Sequence, residues 1–116
     1  MAMEKAIGRV TQIPKGEGRT FEVNGYPIAV FRTHADEIFA TQAACPHRGG
    51  PLADGLIGET SVVCPLHDWT FDLRTGAGKD CRIETYPVRT TEDGRIMLIV
   101  DGLSGSTSVV GSAESL

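Results

Sequence analysis

Cys45-Pro46-His47 and Cys64-Pro65-Leu66-His67 are the two stretches of this chain that decide its fold. Each contributes one thiol and one imidazole from a short loop stiffened by a proline, and sixteen residues separate the two motifs. Thiolate and imidazole side chains bind zinc and also occur at iron–sulfur centres, so the residue types alone leave both metals open. We expect two loops that supply four ligands to one site.

The single residue between Cys45 and His47 argues against a structural zinc ion. Zinc sites favour ligand pairs with about two to four residues between them, because both side chains must reach one ion around a tight turn. In a binuclear cluster the cysteine of a loop can bind one iron and the histidine the other, so the two ligands need not converge on one point. The spacing favours a binuclear cluster over zinc and over unligated side chains.

The segments on either side of the two motifs predict β-structure. Short runs of strand-forming residues are separated by turn signals, and no sustained helical periodicity occurs. The predicted strands are residues 6–13, 19–23, 26–32, 37–42, 83–89 and 95–101. Asn24-Gly25 and Asp93-Gly94 each predict a tight hairpin turn. The pattern indicates an all-β fold, an antiparallel β-sandwich or partly open barrel.

The length of the chain limits its domain organisation. A chain of 116 residues is expected to form one compact domain rather than two. We assign residues 1–103 to that domain and residues 45–81, which are rich in glycine and proline, to a loop-rich insert that carries both motifs. Residues 104–116 are rich in serine and glycine and predict a flexible C-terminal tail.

Composition and charge exclude several classes of partner. Eleven basic and fifteen acidic residues give a net charge of −4, and no basic run is long enough to follow a phosphate backbone, so nucleic acid is not an expected partner. No apolar stretch has the length of a signal peptide or a membrane span, which predicts a soluble, cytoplasmic protein. The three cysteines are an odd number and indicate metal binding or buried thiols rather than a disulfide framework.

Together, the motifs resemble the signature of the Rieske [2Fe–2S] family. The pattern C-x-H followed by C-x₂-H is matched by Cys45-x-His47 and Cys64-x₂-His67. The resemblance continues through residues 45–52 and 64–72. It implies a Rieske-type fold, one [2Fe–2S] cluster per chain held by these four side chains, and a role in electron transfer.

Departures from the high-potential members of this family imply a lower reduction potential. Those members have a disulfide between the two cluster loops, and a serine and a tyrosine that donate hydroxyl hydrogen bonds. The corresponding positions here are Gly50 and Leu66 for the cysteines, and Trp69 and Phe71 for the hydroxyl donors. Neither aromatic residue carries an O–H group, so a disulfide-free, ferredoxin-like cluster of lower potential is expected.

The amino-acid sequence in and around the motifs most resembles that of the small subunit of assimilatory NAD(P)H-dependent nitrite reductase. That resemblance implies a large partner subunit with flavin, sirohaem and a [4Fe–4S] cluster, which reduces nitrite to ammonia. The alternative is a Rieske ferredoxin that passes electrons from a flavin reductase to a ring-hydroxylating oxygenase. A zinc-stabilised binding module without redox activity is a third interpretation.

The chain is not expected to be catalytic by itself. It offers no Ser/His/Asp arrangement, and its motif cysteines would be committed to iron. A Rieske oxygenase also needs a mononuclear iron held by two histidines and a carboxylate, but only His34 remains once His47 and His67 are used. We therefore expect a carrier or a subunit of an oxidoreductase, with His34 as an ordinary surface histidine and Cys81 as a plain thiol.

Residues next to the ligands have expected roles of their own. Trp69 and Phe71 alternate with polar residues, so they are expected to face the core beneath the second loop. The two ligand histidines keep a second ring nitrogen that could meet a redox partner. Pro51, Leu52 and Leu66 are expected to form an apolar rim for docking around them.

Overall fold

The computed structural model describes residues 4–45, 51–64, 69–78 and 81–99. Within these residues the regular structure is almost entirely β-strand, with two short 3₁₀ turns at Val10–Gln12 and Leu52–Asp54. No helix of the described residues is long and apolar enough to cross a membrane. The strands are β1 (Glu4–Arg9), β2 (Glu17–Val23), β3 (Tyr26–Arg32), β4 (Ile38–Gln42), β5 (Leu56–Ile57), β6 (Ser61–Val63), β7 (Thr70–Asp72), β8 (Thr85–Tyr86), β9 (Val88–Thr90) and β10 (Arg95–Ile99).

The strands form three antiparallel sheets. Their orders are β1-β10-β9, β2-β3-β4-β8 and β5-β6-β7. None of them closes into a barrel among the described residues, and the predicted all-β, antiparallel class is confirmed. The domain limits at residues 1–103 stay a prediction, and the predicted tail, residues 104–116, lies outside the described residues.

Both predicted hairpin turns are present. Asn24 and Gly25 have φ values of 52° and 84°, which are the left-handed values that a two-residue turn requires, and they join β2 to β3. Val23 pairs with Tyr26 across this turn. Gly94, with a φ of 86°, turns the chain from β9 into β10.

The predicted strand at residues 83–89 is wrong as a single element. It divides at Pro87 into β8, which pairs with β4 in the central sheet, and β9, which pairs with β10 in another sheet. Proline has no N–H to donate to a ladder, so a strand with an interior proline cannot keep both neighbours. Pro87 is therefore the point at which the chain changes sheet.

The predicted strand at residues 6–13 is also shorter at its end than expected. The backbone N–H of Arg9 donates to Oε1 of Gln12 at 2.6 Å, and the chain then enters the first 3₁₀ turn. The side chain of Gln12 thus takes a donor that a longer strand would have used in its ladder.

The central sheet has a hydrophobic core on each of its faces. Side chains alternate along β3, so Ile28 and Val30 face one core while Ala29 and Phe31 face the other. The first core, here called the sandwich core, contains Ile13, Val23, Ile28, Val30, Ala40, Ile96 and Leu98. The second, here called the insert core, contains Ala29, Phe31, Cys45, Leu52, Ala53, Val62, Cys64, Phe71, Leu73 and Ile83.

Candidate metal centre

The two motif cysteines lie in the same core. Cys45 and Cys64 are 1% and 0% exposed, and both belong to the insert core. His47 and His67 lie outside the described residues, so the structure brings together two of the four predicted ligands and is silent on the other two. The described part of the chain accordingly contains no group of three or more His, Cys, Asp or Glu side chains placed to hold a metal.

Cys45 begins a loop whose two ends are joined by backbone contacts. Ala44 forms an isolated antiparallel bridge with Pro51, and the N–H of Leu52 donates to the carbonyl of Ala43 at 2.9 Å. The chain therefore leaves β4, passes through the first motif and returns to its starting point. A loop closed in this way presents Cys45 from a fixed stem.

The returning end of this loop packs against the central sheet. Leu52 and Ala53, in the second 3₁₀ turn, are buried in the insert core. The turn can approach β2 because residue 18 is glycine. A Cβ atom at Gly18 would lie 2.7 Å from Cδ1 of Phe31 and 3.0 Å from the carbonyl oxygen of Ala53. Sequence reasoning missed Gly18, because the predicted strand began at residue 19 and left this glycine outside it, whereas β2 includes it; a glycine inside a strand is a signal of close backbone approach.

Cys64 begins the second loop, at the turn of a short hairpin. Val62 of β6 pairs with Phe71 of β7, and the N–H of Cys64 donates to the carbonyl of Trp69 at 2.7 Å. Because alternate residues of a strand share a face, Cys64 points to the same side as Val62, into the insert core. Phe71 is fully buried and Trp69 packs against the same core, which confirms the prediction that both aromatic residues face it.

A turn after β7 closes the remaining side of the insert. Oδ1 of Asp72 accepts hydrogen bonds from the backbone N–H groups of Arg74 and Thr75 at 2.7 and 3.3 Å. Gly76 then takes a φ of 81°, and a Cβ atom there would lie 2.0 Å from the carbonyl oxygen of Ile83. Asp72 and Gly76 shape this turn, and the sequence analysis gave neither of them a role.

The remaining predicted residues have mixed outcomes. His34 is exposed, as expected of a surface histidine. Cys81 is half-buried against the insert core, and its carbonyl accepts the N–H of Gly78 at 2.8 Å. Pro51 is exposed, but Leu52 is fully buried. The prediction that Leu52 forms part of an exposed docking rim is therefore wrong, because this side chain fills the insert core; Leu66 lies outside the described residues.

Charged side chains pair with one another on the strands and turns that flank the two cores. The four ion pairs of the described residues are Arg19–Glu17, Arg32–Asp36, Arg89–Glu4 and Arg95–Asp93, and each includes at least one side chain that is half exposed or more. The described residues that share the insert core with Cys45 and Cys64 are hydrophobic. Such walls keep water from a bound group, which tunes the potential of a redox centre.

Comparison with known proteins identifies the family. The profile of the Rieske [2Fe-2S] domain matches residues 3–92. An anthranilate 1,2-dioxygenase ferredoxin subunit from Burkholderia cepacia is 38% identical over 96 residues, 83% of each chain. A ferredoxin structure from Sphingomonas yanoikuyae B1 superposes with a TM-score of 0.74 at 32% identity, covering 84% of this chain and 98% of that one.

A second kind of neighbour shares the fold. A structure described as an NADH-dependent nitrite reductase small subunit from Mycobacterium tuberculosis superposes with a TM-score of 0.77 at 22% identity, covering 84% of this chain and 95% of that one. With the profile match spanning most of the sequence and both motif cysteines buried in one core, the chain belongs to the Rieske [2Fe–2S] family, as an electron-transfer protein whose cofactor is a [2Fe–2S] cluster.

Proposed function

We propose that Cys45, His47, Cys64 and His67 hold the cluster and that the chain carries electrons to a ring-hydroxylating oxygenase. When bound, the cluster supplies reversible one-electron transfer. The chain itself offers the ligands, a fixed scaffold for them and the hydrophobic side chains of the insert core. No catalytic residue is assigned, because bond-making steps belong to the partner enzymes.

The described residues fit such a cofactor. Cys45 and Cys64 come from separate loops, are both buried and share the insert core. Ligation to iron requires the thiolate form of cysteine, and the bound metal supplies the positive charge that favours that form. Two thiols presented to one core from separate loops are suited to metal ligation.

The two aromatic residues that follow the second motif also support a lower reduction potential. Phe71 is fully buried in the insert core and carries no hydrogen-bond donor on its ring. Trp69 packs against the same core and carries only an indole N–H. The hydroxyl donors that raise the potential of other clusters are missing at both positions, so we propose a potential in the ferredoxin range.

Sequence similarity to a dioxygenase ferredoxin subunit is the observation that supports an oxygenase as the redox partner. The 38% identity to the Burkholderia cepacia subunit extends over 83% of both chains, so the likeness includes the scaffold as well as the motifs. A carrier of this kind meets a reductase and an oxygenase in turn, which calls for small, short-lived interfaces. The two motifs alone favour a nitrite reductase subunit, whereas the identity over most of both chains favours the ferredoxin.

The second candidate is the small subunit of a nitrite reductase. It is supported by the amino-acid sequence of the two motifs, and the fold is compatible with it, since the TM-score of 0.77 extends over 84% of this chain. At 22% identity that superposition supports the fold alone. In this role the chain would stay bound to a large flavin and sirohaem subunit.

Purification from the native host, followed by electron-delivery assays, tests the proposal. We expect about two irons and two acid-labile sulfides per chain, and reduction of the protein by a flavin reductase. The reduced protein should support turnover of a ring-hydroxylating oxygenase from that host. Recovery in a stable sirohaem-containing complex, with nitrite reduction dependent on this chain, would contradict the ferredoxin role. One zinc and no sulfide would contradict the ligand assignment.

A further inference from the structure

Gln42 is the last residue of β4 and lies three positions before Cys45. Its side chain is half-buried and makes two hydrogen bonds to the backbone of other segments. Oε1 accepts the N–H of Glu84 at 2.8 Å, and Nε2 donates to the carbonyl of Ala44 at 2.6 Å. One amide group thus contacts both the segment before β8 and the stem of the first ligand loop.

The bond to Glu84 replaces the next step of a β-ladder. Ala40 pairs with Tyr86 and Thr41 with Thr85, so Gln42 and Glu84 would form the following pair. The N–H of Gln42 does donate to the carbonyl of Glu84, at 2.9 Å. The return bond, however, runs from the N–H of Glu84 to the side-chain oxygen of Gln42 instead of its backbone carbonyl.

The backbone carbonyl of Gln42 is occupied by a different donor. The buried hydroxyl of Thr41 donates to it at 2.8 Å. Because the side-chain carbonyl takes the place of the backbone carbonyl in the ladder, the backbone is released from the sheet after Gln42. The chain can therefore turn into the first ligand loop while the N–H of Glu84 keeps an acceptor within the protein.

The bond to Ala44 fixes the residue that directly precedes Cys45. Ala44 also pairs with Pro51 where the loop closes, so the side chain of Gln42 holds both ends of the loop stem to the segment before β8. A glutamine amide is suited to this place because it carries an acceptor and a donor on one planar group. Glutamate at the same position would direct a second acceptor at the carbonyl of Ala44.

We infer that Gln42 is a positioning residue, which sets the placement of Cys45 by joining the first ligand loop to the segment before β8. The inference rests on the proposed assignment of Cys45 as a ligand. Gln42 does not touch the cluster in this account and acts through the stem of the loop. Its effect should therefore appear in the electronic properties of the bound cluster as well as in its retention.

The test compares Gln42→Ala and Gln42→Glu with Gln12→Ala. Gln12 is a matched control, because its Oε1 also accepts a backbone N–H, from Arg9 at 2.6 Å, but at the end of β1 in the other part of the fold. Each purified protein is examined by electron paramagnetic resonance in the reduced state, by redox titration and by the rate of iron loss to a chelator. Thermal unfolding is followed in parallel.

In Gln42→Ala we expect a changed spectrum, a shifted midpoint potential and iron loss about tenfold faster, which corresponds to about 1.4 kcal/mol. Gln42→Glu should give shifts in the same properties with a smaller loss of thermal stability, since it retains the acceptor for Glu84. Gln12→Ala should leave the spectrum and the potential unchanged. Equal spectra and potentials in all four proteins would overturn the inference and leave the ligand assignment intact. A wild-type protein without a cluster would overturn both.

Discussion

The two cores on either face of the central sheet are built in different ways. The buried members of the sandwich core are all aliphatic, and this core is enclosed mainly by strands of five to seven residues. The insert core contains two cysteines and two phenylalanines, and its own strands are only two or three residues long. Short hairpins are marginally stable alone, so the insert depends on what it packs against and on what joins its loops.

This difference gives a physical reason for the proposed ligands to lie in the insert. Long ladders with aliphatic packing give a scaffold that needs no cofactor, whereas an insert of short strands gains most from a cross-link between its loops. β3 connects the two parts, because its side chains enter both cores in alternation. The cofactor should therefore stabilise the insert strongly and the sandwich weakly.

Removal of a proposed cluster ligand should have the largest effect and should distinguish the two cores. In Cys64→Ser we expect loss of iron and sulfide, because a serine hydroxyl is a poor ligand for an iron–sulfur cluster. Amides of β6 and β7 should then exchange with solvent faster by hydrogen-exchange mass spectrometry, while amides of β10 stay protected.

Cys81→Ser is the matched control for that experiment, because Cys81 is a half-buried thiol outside both motifs. It should retain the cluster and the exchange pattern of the wild type. A full complement of iron and sulfide in Cys64→Ser would show that Cys64 is not a ligand. Equal loss of protection in β10 would show that the two cores form one cooperative unit.

A pair of core truncations should sharpen the comparison further. Phe71→Ala in the insert core and Leu98→Ala in the sandwich core each remove a fully buried side chain, at an expected cost of about 3–5 and about 2–5 kcal/mol of unfolding free energy. Denaturant unfolding measures both costs. Only Phe71→Ala should alter the spectrum of the reduced cluster, since only Phe71 shares a core with Cys45 and Cys64. A changed spectrum in Leu98→Ala would contradict the separation of the cores.

A smaller effect is expected where the insert meets the central sheet. In Gly18→Ala the new methyl group would lie 2.7 Å from Cδ1 of Phe31 and 3.0 Å from the carbonyl of Ala53, so the second 3₁₀ turn must move. Overpacking of this kind costs about 1–3 kcal/mol, which denaturant unfolding would measure, and should shift the midpoint potential through the first loop.

Gly8→Ala provides the control for this close approach. A Cβ atom at Gly8 would lie 2.7 Å from both Oε1 of Gln12 and Cε1 of Phe21, but Gly8 is on β1, away from the insert. It should lower stability without moving the potential. An unchanged midpoint potential in Gly18→Ala would mean that movement of the second 3₁₀ turn does not alter the placement of Cys45.

The sequence predicted those parts of the fold that local chemistry determines. Asn24-Gly25 specified a hairpin because few other residues accept two consecutive left-handed conformations. The division at Pro87 could also have been read locally, from the absent N–H, and the single predicted strand overlooked it. The burial of Leu52 could not, because exposed and buried positions of a loop differ only in what later segments pack against it.

The residues of the candidate site also divide into those that local sequence reveals and those that depend on tertiary structure. Spacing alone singled out Cys45 and Cys64, and the structure brings them into one core. Gln42 carries no motif, and its two side-chain bonds depend on a segment 42 residues further along the chain and on the path of the loop. Such contacts arise from tertiary structure, so a single sequence gives no signal for them.

The smallest expected effect concerns an ion pair on the sandwich sheet. Nε and Nη2 of Arg89 donate to Oε2 and Oε1 of Glu4 at 2.6 and 2.7 Å, joining β1 and β9 across β10. Hydrogen bonding to Arg89 lowers the pKa of Glu4 from its ordinary value of 4.5. The stabilisation is therefore complete above that ordinary value and is lost as the pH falls through the lowered pKa.

In Arg89→Ala we expect a slightly lower melting temperature at neutral pH, and a difference from the wild type that disappears in acid. Arg82→Ala removes the same charge, but Arg82 donates to the backbone carbonyl of Thr75 at 2.6 Å, and a carbonyl does not titrate. The loss of stability in Arg82→Ala should arise in the insert, and it should not change as the pH passes through the pKa of Glu4. Melting temperatures of both variants, measured across the acid range, test this prediction. If the melting temperature of Arg89→Ala stayed below that of the wild type in strong acid, the guanidinium would act through packing on the sheet rather than through the charge of Glu4.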